Sequence, residues 1–532
     1  MTELETTPSD MVALIARARR QTLGDLLRRS AARYSSKLAI ACGEEVRWTY
    51  GEFNALCDDL AAGLQTTYGI QKGTRIAVLA RNSHWFAALR FAVARAGAVL
   101  VPINFMLNHD EVAYILEHSG AEWLCSDDEF AKTADAATQQ VGGVRGLIGM
   151  PGETSGPVEG WLNLPDLALS GHGVALTDPE ITGADVAQII YTSGTESRPK
   201  GALLTHDAVI AEYNTCVIDA EIHVDDTLLH ALPLYHCAQL DVFLGPAIYV
   251  GATNVITGIP SPDNIIELIQ TWGISSFFAP PTVWIAILAH ERGNELHLNT
   301  LKKGYYGASI MPVEVLKSLL QRLPALKLWN LYGQTEIAPV ATILRPHEQL
   351  IKAGSAGRPG LNVETRVVND AGNDVTVGEV GEVVHRSPQL LSGYFNNEDK
   401  TAESFIGGWF HSGDLATIDA EGYITIVDRK KDMIKSGGEN VASREVEETL
   451  YAHPAVEEVA VIGTPDVKWI EAVTAVVVRA PGHDSTTEAE LIAFCADRLA
   501  GFKVPKRMHF VPELPKNPSG KVLKRDLRER FS

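Results

Sequence analysis

The sequence YTSGTESRPKG occupies residues 191–201 and is the most informative stretch of the chain. It brings several hydroxyl side chains, an open glycine backbone and the ammonium group of Lys200 into one short loop, and a loop needs these groups to wrap a polyphosphate. The flanking segments 187–190 and 202–204 are short and apolar, and each predicts a buried strand. The common phosphate-binding loop has the pattern G-x-x-x-x-G-K-[ST] and runs into a helix, so the strand–loop–strand pattern excludes it.

Length, charge and cysteine usage exclude several classes of protein. The chain has 532 residues, which predicts several domains, and its net charge of -20 argues against a nucleic-acid-binding protein. No two of the six cysteines have CxxC spacing, so the sequence indicates neither a zinc site nor a redox-active cysteine pair. The N-terminus does not read as a secretory signal, and no apolar run approaches the roughly 20 residues that span a bilayer. We therefore expect a cytoplasmic protein without an integral membrane segment, for which peripheral membrane contact stays open.

Hydrophobic periodicity in the first third of the chain predicts strands that alternate with helices. A capping-box pattern, Thr49 to Glu52, introduces a helix. Further strands are predicted at 75–80, 98–103 and 122–125, and further helices at 85–95 and 110–118. This alternation is typical of parallel α/β layers. The segment 142–173 is rich in Gly and Pro and reads as a surface connection.

The remaining chain predicts a second α/β region, a β unit and a small C-terminal domain. Strands are expected at 227–232, 253–256 and 275–278, and the segment 354–427 reads as a smaller β unit with many glycine turns. A basic turn at 429–431 then precedes mixed strand and helix patterns. We predict an α/β protein with an N-terminal domain at 1–428, a hinge at 429–431 and a mobile α+β domain at 432–532.

Four further motifs join the loop, although each has an ordinary explanation when taken alone. YGQTE at 332–336 offers an aromatic ring that could stack on a base and a carboxylate that could bind Mg²⁺. Its ordinary explanation is a turn at the end of a strand. GWFHSGD at 408–414 ends in an aspartate that can accept hydrogen bonds from two ribose hydroxyls. Its ordinary explanation is an Asx turn at a strand end. DRKKDMIKSGGEN at 428–440 indicates a hinge or a solvated linker. NPSGK at 517–521 indicates a lysine that a mobile domain brings to a phosphate. Its ordinary explanation is a lysine exposed on a turn.

These five motifs in this order resemble the acyl-adenylate-forming superfamily, and specifically its acyl-CoA synthetase branch. The resemblance extends from about residue 26 to residue 524 and includes the segment GAVLVPIN at 97–104. It implies that the protein joins a carboxylic acid to coenzyme A with ATP and Mg²⁺, through an acyl-AMP intermediate.

The resemblance also implies a role for individual residues. The ATP phosphates would be held by Thr192, Ser193, Gly194, Thr195 and Lys200. Adenine and ribose would be bordered by Gly307, Ala308, Ser309, Asn330, Tyr332, Asp414 and Arg429. The catalytic groups would be Thr335 at the α-phosphate, Glu336 as the Mg²⁺ ligand, His236 at the carboxylate and Lys521. Lys431 would be the hinge, and the CoA channel would be lined by Lys435, Gly437 and Gly438.

The acyl pocket implied by the resemblance is apolar and favours an acid larger than acetate. Its candidate lining residues are His236, Val283, Trp284, Gly333, Pro339 and Val340. Acetate-specific members of the family carry a tryptophan at the position of Gly333, and glycine there leaves a tunnel open. We therefore expect a medium- or long-chain fatty acid, with an aromatic, cinnamate-like acid as the alternative.

Two further alternatives and one departure from the family pattern remain. A second hypothesis is that the adenylated acid is loaded onto a carrier protein, and a third is a degenerate nucleotide-binding scaffold. In the loop, Glu196 and Ser197 stand where Thr or Ser followed by Gly is usual. We expect Glu196 to face solvent or pair with a cation, because a carboxylate is repelled by a polyphosphate. Small-molecule substrates are the expected partners of a monomer or homodimer that binds no nucleic acid.

Overall fold

The structure is a computed structural model that describes residues 8–192, 198–290, 298–307, 311–430, 432–436, 439–516 and 522–532. The helices in chain order are α1 Pro8–Arg19, α2 Leu23–Tyr34, α3 Tyr50–Tyr68, α4 His84–Ala96, α5 His109–Ser119, α6 Ala131–Thr138, α7 Leu164–Gly171, α8 His206–Asp219, α9 Cys237–Gln239, α10 Gly245–Val250, α11 Pro262–Trp272, α12 Pro281–Ala289, α13 Val313–Arg322, α14 Glu398–Ser404, α15 Ser443–Tyr451, α16 Glu488–Ala496 and α17 Lys524–Phe531.

Most of the strands are short, and they are distributed over the described part of the chain. In chain order they are β1 Leu38–Cys42, β2 Val46–Thr49, β3 Arg75–Leu79, β4 Val99–Pro102, β5 Trp123–Ser126, β6 Gly146–Gly149, β7 Leu162–Asn163, β8 Val186–Thr192, β9 Lys200–Thr205, β10 Thr227–His230, β11 Thr253–Ile256, β12 Ser276–Phe278, β13 Lys303–Gly307, β14 Lys327–Gly333, β15 Val340–Leu344, β16 Arg358–Pro359, β17 Glu364–Val368, β18 Gly381–Arg386, β19 Gly393–Tyr394, β20 Phe405–Ile406, β21 Trp409–Ile418, β22 Ile424–Arg429, β23 Ile434–Ser436, β24 Glu439–Val441, β25 Val456–Asp466, β26 Ile470–Arg479 and β27 Arg507–Phe510.

The chain divides into two compact units, and neither is continuous in sequence. Unit 1 comprises Met1–Pro260, Thr335–Pro339 and Pro388–Thr401, and unit 2 comprises Ser261–Gln334, Val340–Ser387 and Ala402–Ser532. These limits differ from the predicted domains at 1–428 and 432–532, whose division therefore stays a prediction. The mixed α/β class expected from the sequence is confirmed.

Unit 1 contains an eight-stranded sheet in the order β19-β9-β8-β4-β3-β5-β6-β7. Neighbours from β8 to β7 along this order are parallel, whereas β9 runs antiparallel to both β8 and β19. The strands β10, β11, β1 and β2 also pair in that order within unit 1. Buried aromatic side chains such as Phe53, Phe86 and Phe91 fill the core between helices and strands. The alternation of helices and parallel strands predicted for the first third of the chain is thus confirmed.

The capping box predicted at Thr49 begins helix α3. The Thr49 hydroxyl accepts a 3.2 Å hydrogen bond from the Glu52 amide, while the Glu52 carboxylate accepts one of 2.8 Å from the Thr49 amide. This reciprocal pair satisfies two amide groups that a helix start otherwise leaves without partners.

The prediction that 142–173 is a surface connection is wrong. Strand β6 pairs in parallel with β5, β7 pairs with β6, and α7 packs Leu164 and Leu167 fully into the core. Some glycines of this segment serve close packing, whereas Gly160 and Gly173 lie in turns at positive φ. A Cβ at Gly149 would lie 1.9 Å from the Asn163 side-chain oxygen, and a Cβ at Gly171 would lie 2.0 Å from the Asp59 carbonyl oxygen of α3.

The described residues of unit 2 form three sets of paired strands. The first runs in the order β16-β15-β14-β13-β12, and its strands β12, β13 and β14 are parallel. The second has β17, β18, β21 and β20 in order, with β22 on β21, and all its pairs are antiparallel. This second set confirms the β unit predicted at 354–427 in part, because residues 388–401 of that range belong to unit 1, where β19 pairs with β9. The third set, β24-β23-β26-β25 with β27 on β26, packs with α15 and α16 around a valine-rich core.

Candidate active site

The predicted phosphate loop lies between two antiparallel strands, as the sequence indicated. In the β8–β9 pair, Thr192 stands opposite Lys200, and the Thr192 hydroxyl lies 3.5 Å from the Lys200 carbonyl oxygen. Both residues are half-buried at the open end of the pair. The loop residues Ser193, Gly194, Thr195, Glu196 and Ser197 lie outside the described residues, so the orientation expected for Glu196 stays a prediction.

Helix α5 contacts both arms of this loop. The Tyr114 hydroxyl donates a 3.2 Å hydrogen bond to the Pro199 carbonyl, and the Arg198 guanidinium lies 5.1 Å from the centre of the Tyr114 ring. One turn further on, the His118 Nδ1 atom is 2.8 Å from the Tyr191 hydroxyl. Burial lowers the pKa of His118 and raises that of Tyr191, so both side chains are neutral near pH 7. No local sequence pattern indicates these contacts, because α5 is distant from the loop along the chain.

Thr335 and Glu336 begin a short 3₁₀ turn, Thr335–Ile337, in unit 1. The Thr335 hydroxyl lies 3.3 Å from the Cys237 sulfur. Glu336 is buried, and its carboxylate accepts a 3.0 Å hydrogen bond from the Tyr394 hydroxyl. A buried carboxylate requires such a donor or a cation, because desolvation of an unpaired charge is costly. The fold thus places a hydroxyl and a carboxylate side by side on one tightly held turn.

The segment from Gln389 to Tyr394 holds the Glu336 turn from its other side. The Leu391 amide donates a 2.8 Å hydrogen bond to the Glu336 carbonyl, and the Gln389 side-chain amide donates one of 3.3 Å to the Ile337 carbonyl. The oxygen of the same side chain accepts a 2.6 Å hydrogen bond from Thr215. Gln389 and Tyr394 were not predicted from the sequence, since no local motif links them to a turn more than 50 residues away.

His236 caps the short helix α9 and is half-buried. Its Nδ1 atom accepts a 3.1 Å hydrogen bond from the Ala238 amide. Cys237, which follows it, is the residue that contacts Thr335. The backbone of α9 therefore connects His236 to the Thr335 turn within unit 1. Pro339, which ends the Thr335–Pro339 segment of the same unit, is buried.

In unit 2, the residues predicted to hold the ribose form a hydrogen-bonded cluster. Asp414 on β21 stands opposite Arg429 on β22, and the arginine Nε lies 3.1 Å from the carboxylate. The Tyr332 hydroxyl donates a 2.6 Å hydrogen bond to the other carboxylate oxygen. Desolvation and the neighbouring Asp414 charge raise the pKa of Tyr332 well above its usual value, so the phenol keeps its proton.

The strand ends near this cluster position two further predicted residues. The Asn330 amide group donates a 3.0 Å hydrogen bond to the Ser355 carbonyl. Gly307 is the last residue of β13, where a Cβ would lie 2.4 Å from the Leu331 carbonyl oxygen of β14. Strand packing therefore explains this glycine without any ligand. Ala308 and Ser309 lie outside the described residues.

The remaining residues predicted for the acyl pocket belong to unit 2. Gly333 ends β14 and pairs with the buried Val340 on β15, while Val283 is half-buried on α12. Trp284 is fully buried, and its indole N–H donates a 3.1 Å hydrogen bond to the Tyr305 carbonyl. These contacts make Trp284 part of the core of unit 2, and the structure leaves its role at a ligand untested.

The residues on either side of the predicted hinge are held by different elements. The Lys430 ammonium lies 3.3 Å from Asp370 and 3.4 Å from Glu382 on β18, whereas Asp432 pairs at 2.6 Å with Arg528 on α17. Lys435 is exposed on β23, which pairs antiparallel with β24. The remaining predicted residues here, Lys431, Gly437, Gly438 and Lys521, lie outside the described part of the chain.

Two sequence profiles of one enzyme family match the chain. The profile of the AMP-binding enzymes covers residues 27–395, and the profile of their C-terminal domain covers residues 445–521. A feruloyl-CoA synthase from an Amycolatopsis species is 36% identical over 91% of this chain and 94% of that protein. The long-chain-fatty-acid–CoA ligase FadD13 of Mycobacterium tuberculosis is 35% identical over 92% of this chain and 94% of that protein.

Solved structures show the same relationship. A fatty acyl CoA synthetase of Mycobacterium tuberculosis has 33% identity and a TM-score of 0.74, with 96% of this chain and 98% of that chain covered. ATP-bound MatB from Rhodopseudomonas palustris has 28% identity and a TM-score of 0.86, with 96% and 99% covered. With the strand-bounded loop, the Thr335 turn and the Asp414 cluster in place, these matches show that the chain belongs to the AMP-binding enzyme family, as an ATP-dependent acid–CoA ligase of its acyl-CoA synthetase branch.

Proposed function

We propose that this ligase activates a carboxylic acid with a large apolar body, and in the first place a medium- or long-chain fatty acid. The observation that carries the proposal is Gly333, which ends β14 beside the buried Val340 and brings no side chain of its own. An apolar wall with one missing side chain suits an extended hydrocarbon better than acetate. Relatives named long-chain-fatty-acid–CoA ligases, at 32% to 35% identity, support this choice.

An aromatic acid is the second candidate for the substrate. The feruloyl-CoA synthase relative at 36% identity and an indoleacetate–CoA ligase of Aromatoleum aromaticum at 32% identity favour it. Both candidates present one carboxylate at the head of an apolar body. They differ in the shape of that body, which is rigid and planar in one case and flexible in the other.

In the first half-reaction, the substrate carboxylate attacks the α-phosphorus of ATP, and pyrophosphate leaves. Negative charge develops on the α-phosphate and on the leaving group, so preorganised donors and cations there lower the barrier. Lys200 and the loop hydroxyls would contact the departing phosphates, and Thr335 would contact the α-phosphate. Asp414 would accept hydrogen bonds from the ribose hydroxyls while Tyr332 and Arg429 hold its carboxylate in place.

The residues present fit a magnesium–nucleotide complex. Mg²⁺ is usually bound through one or two carboxylates together with substrate phosphates. Glu336 supplies one buried carboxylate, next to the Thr335 hydroxyl and hydrogen-bonded to Tyr394. The ion would neutralise phosphate charge during adenylation. Glu336 is therefore the proposed protein ligand for the ion.

In the second half-reaction, the thiol of CoA attacks the acyl carbon and AMP leaves. We propose that Lys521 bridges the substrate carboxylate and the α-phosphate in the first half-reaction, and that rotation about Lys431 then removes it. Lys435, Gly437 and Gly438 would line the CoA channel. The separate anchoring of Lys430 and Asp432 supports a pivot between them. Cytoplasmic location and a monomeric or homodimeric state remain predictions from the sequence.

The proposal is tested by ATP–pyrophosphate exchange across a panel of fatty and aromatic acids, followed by mass detection of the thioester after CoA addition. We expect exchange and thioester with fatty acids. Exchange without thioester would favour loading of a carrier protein, and a preference for aromatic acids would replace the first candidate by the second. No exchange with any acid would contradict the proposal.

Two variants sharpen this test. Gly333→Trp should reduce activity with long acids by at least about tenfold and should spare short acids, because the added ring fills the pocket. Lys521→Ala should lose exchange yet still convert supplied acyl-AMP into the thioester. If Lys521→Ala adenylates at the normal rate, the role proposed for Lys521 is wrong.

A further inference from the structure

Helix α1 lies on the surface of unit 1 with its large apolar side chains in solvent. Met11, Val12, Leu14 and Ile15 are between 48% and 68% exposed. They recur at spacings of one, three and four residues, which gathers them along one side of a helix. Scattered exposed apolar residues are common, but a group of four on one helical turn marks an interaction surface. The helix also precedes residue 27, where the match to the AMP-binding enzymes begins.

A basic surface adjoins the apolar side chains. The segment 17–33 contains six arginines and a single acidic residue, Asp25, in a chain whose net charge is -20. The six are Arg17, Arg19, Arg20, Arg28, Arg29 and Arg33. The Arg29 guanidinium donates to the Arg20 carbonyl at 3.4 Å, which brings α2 against the end of α1. Asp178 pairs with Arg17 and Arg20, and Asp25 pairs with Arg20 and Arg28, so these two carboxylates offset only part of the charge.

A groove of about 500 Å³ opens between these arginines and the segment before β8. Its lining includes Arg17, Arg20 and Arg28 together with the exposed Val174 and three carboxylates, those of Asp25, Asp58 and Asp178. Apolar and cationic groups therefore meet at one place on the surface. Acyl chains and anionic headgroups meet in the same way at the surface of a bilayer.

We propose that α1 and the arginines of 17–33 dock this enzyme on an anionic lipid surface. The helix would lie in the interface plane, with Met11, Leu14 and Ile15 among the acyl chains and the arginines at the headgroups. A second copy of the chain fits less well, because a symmetric contact through α1 would oppose two arginine clusters. Within the described residues, no helix is long and apolar enough to cross a bilayer.

The test is co-sedimentation of the full chain with vesicles of phosphatidylcholine, either alone or mixed with phosphatidylglycerol. We expect binding to the mixed vesicles that weakens as salt is added, and little binding to the neutral ones. A Leu14→Gln, Ile15→Gln double variant should bind at least about tenfold more weakly. An Arg19→Glu, Arg29→Glu double variant should lose at least about fivefold for each arginine.

Val377→Gln is the matched control, because Val377 is also exposed but lies among acidic residues in unit 2. It should bind like the unmodified protein, and none of these variants should change ligase activity on a dissolved acid. Equal binding by all variants, or equal binding to neutral and anionic vesicles, would overturn the proposal. Self-association that Leu14→Gln, Ile15→Gln abolishes, without any vesicle binding, would assign the surface to a second copy instead.

Discussion

The Tyr332 hydroxyl lies 2.6 Å from an Asp414 carboxylate oxygen, and the Arg429 Nε atom lies 3.1 Å from the other oxygen of that carboxylate. The tyrosine comes from the YGQTE motif, and the aspartate ends the GWFHSGD motif 82 residues later. Two motifs that are separate in sequence thus form one hydrogen-bonded cluster. A carboxylate held on both oxygens has a fixed direction, which hydrogen bonding to two ribose hydroxyls requires.

Removing the Tyr332 hydroxyl should weaken ATP binding more than it slows the chemical steps. A hydrogen bond to a charged group contributes about 1.5–3 kcal/mol, so Tyr332→Phe should raise the KM for ATP at least about tenfold. Steady-state kinetics with ATP varied will measure this change. Tyr423→Phe is the matched control, since its hydroxyl donates at 2.7 Å to Glu348 in the same unit. Equal KM increases in both variants would contradict a specific role for Tyr332.

Glu336 and Tyr394 should control the dependence of activity on Mg²⁺. Glu336→Gln should lower kcat on the order of 10²–10³-fold, because the variant loses the charge that faces the ion. Tyr394→Phe should raise the Mg²⁺ concentration for half-maximal rate only severalfold. Magnesium titrations of exchange activity test both expectations. Tyr213→Phe, which removes a 3.3 Å hydrogen bond to the buried Asp241, should leave the magnesium response unchanged.

Helix α5 should influence the phosphate loop through Tyr114. Tyr114→Phe removes the 3.2 Å hydrogen bond to the Pro199 carbonyl but keeps the ring beneath Arg198. Looser anchoring of one loop arm should raise the KM for ATP severalfold and change the KM for CoA little. Tyr68→Phe serves as the control, because the Tyr68 ring packs on Trp123 away from the loop. An unchanged KM for ATP would show that the loop does not need this anchor.

Acid should destabilise the protein through its buried histidines. Burial lowers the pKa of His230 to about 4, and its ring is held neutral between the Gln239 amide and the Asn254 oxygen. The unfolded chain binds a proton near its ordinary pKa of about 6.5, so stability is lost as pH falls from there towards 4. His230 alone should reduce the free energy of unfolding by on the order of 2 kcal/mol between pH 7 and about pH 5.

Denaturant unfolding at several pH values measures this effect. His230→Gln should flatten the dependence of stability on pH, whereas His109→Gln, at an exposed position, should not. The same mechanism applies to the other buried histidines with a pKa lowered to about 4, His84, His206 and His385. If the stability of His230→Gln depends on pH as steeply as that of the unmodified protein, His230 does not cause the acid destabilisation.

The sequence by itself determined the family, the strand-bounded loop and the helix start at Thr49. These features depend on local order: hydroxyls and a lysine in one loop, apolar runs on either side, and a capping box with its fixed spacing. It also indicated the types of side chain that an adenylating site needs. Its expectation for 142–173 was wrong because Gly149 and Gly171 resemble turn residues locally, although they are needed for close contacts with Asn163 and Asp59.

Only the tertiary structure decided which side chains hold the site in shape. Tyr394 on Glu336, Gln389 on Ile337 and α5 on the two loop arms join residues that are distant along the chain. No periodicity or spacing encodes such contacts, because they depend on how strands and helices pack. Short local motifs therefore supply the chemical groups of the site. Its rigidity depends on buried partner residues that become neighbours only when the chain folds.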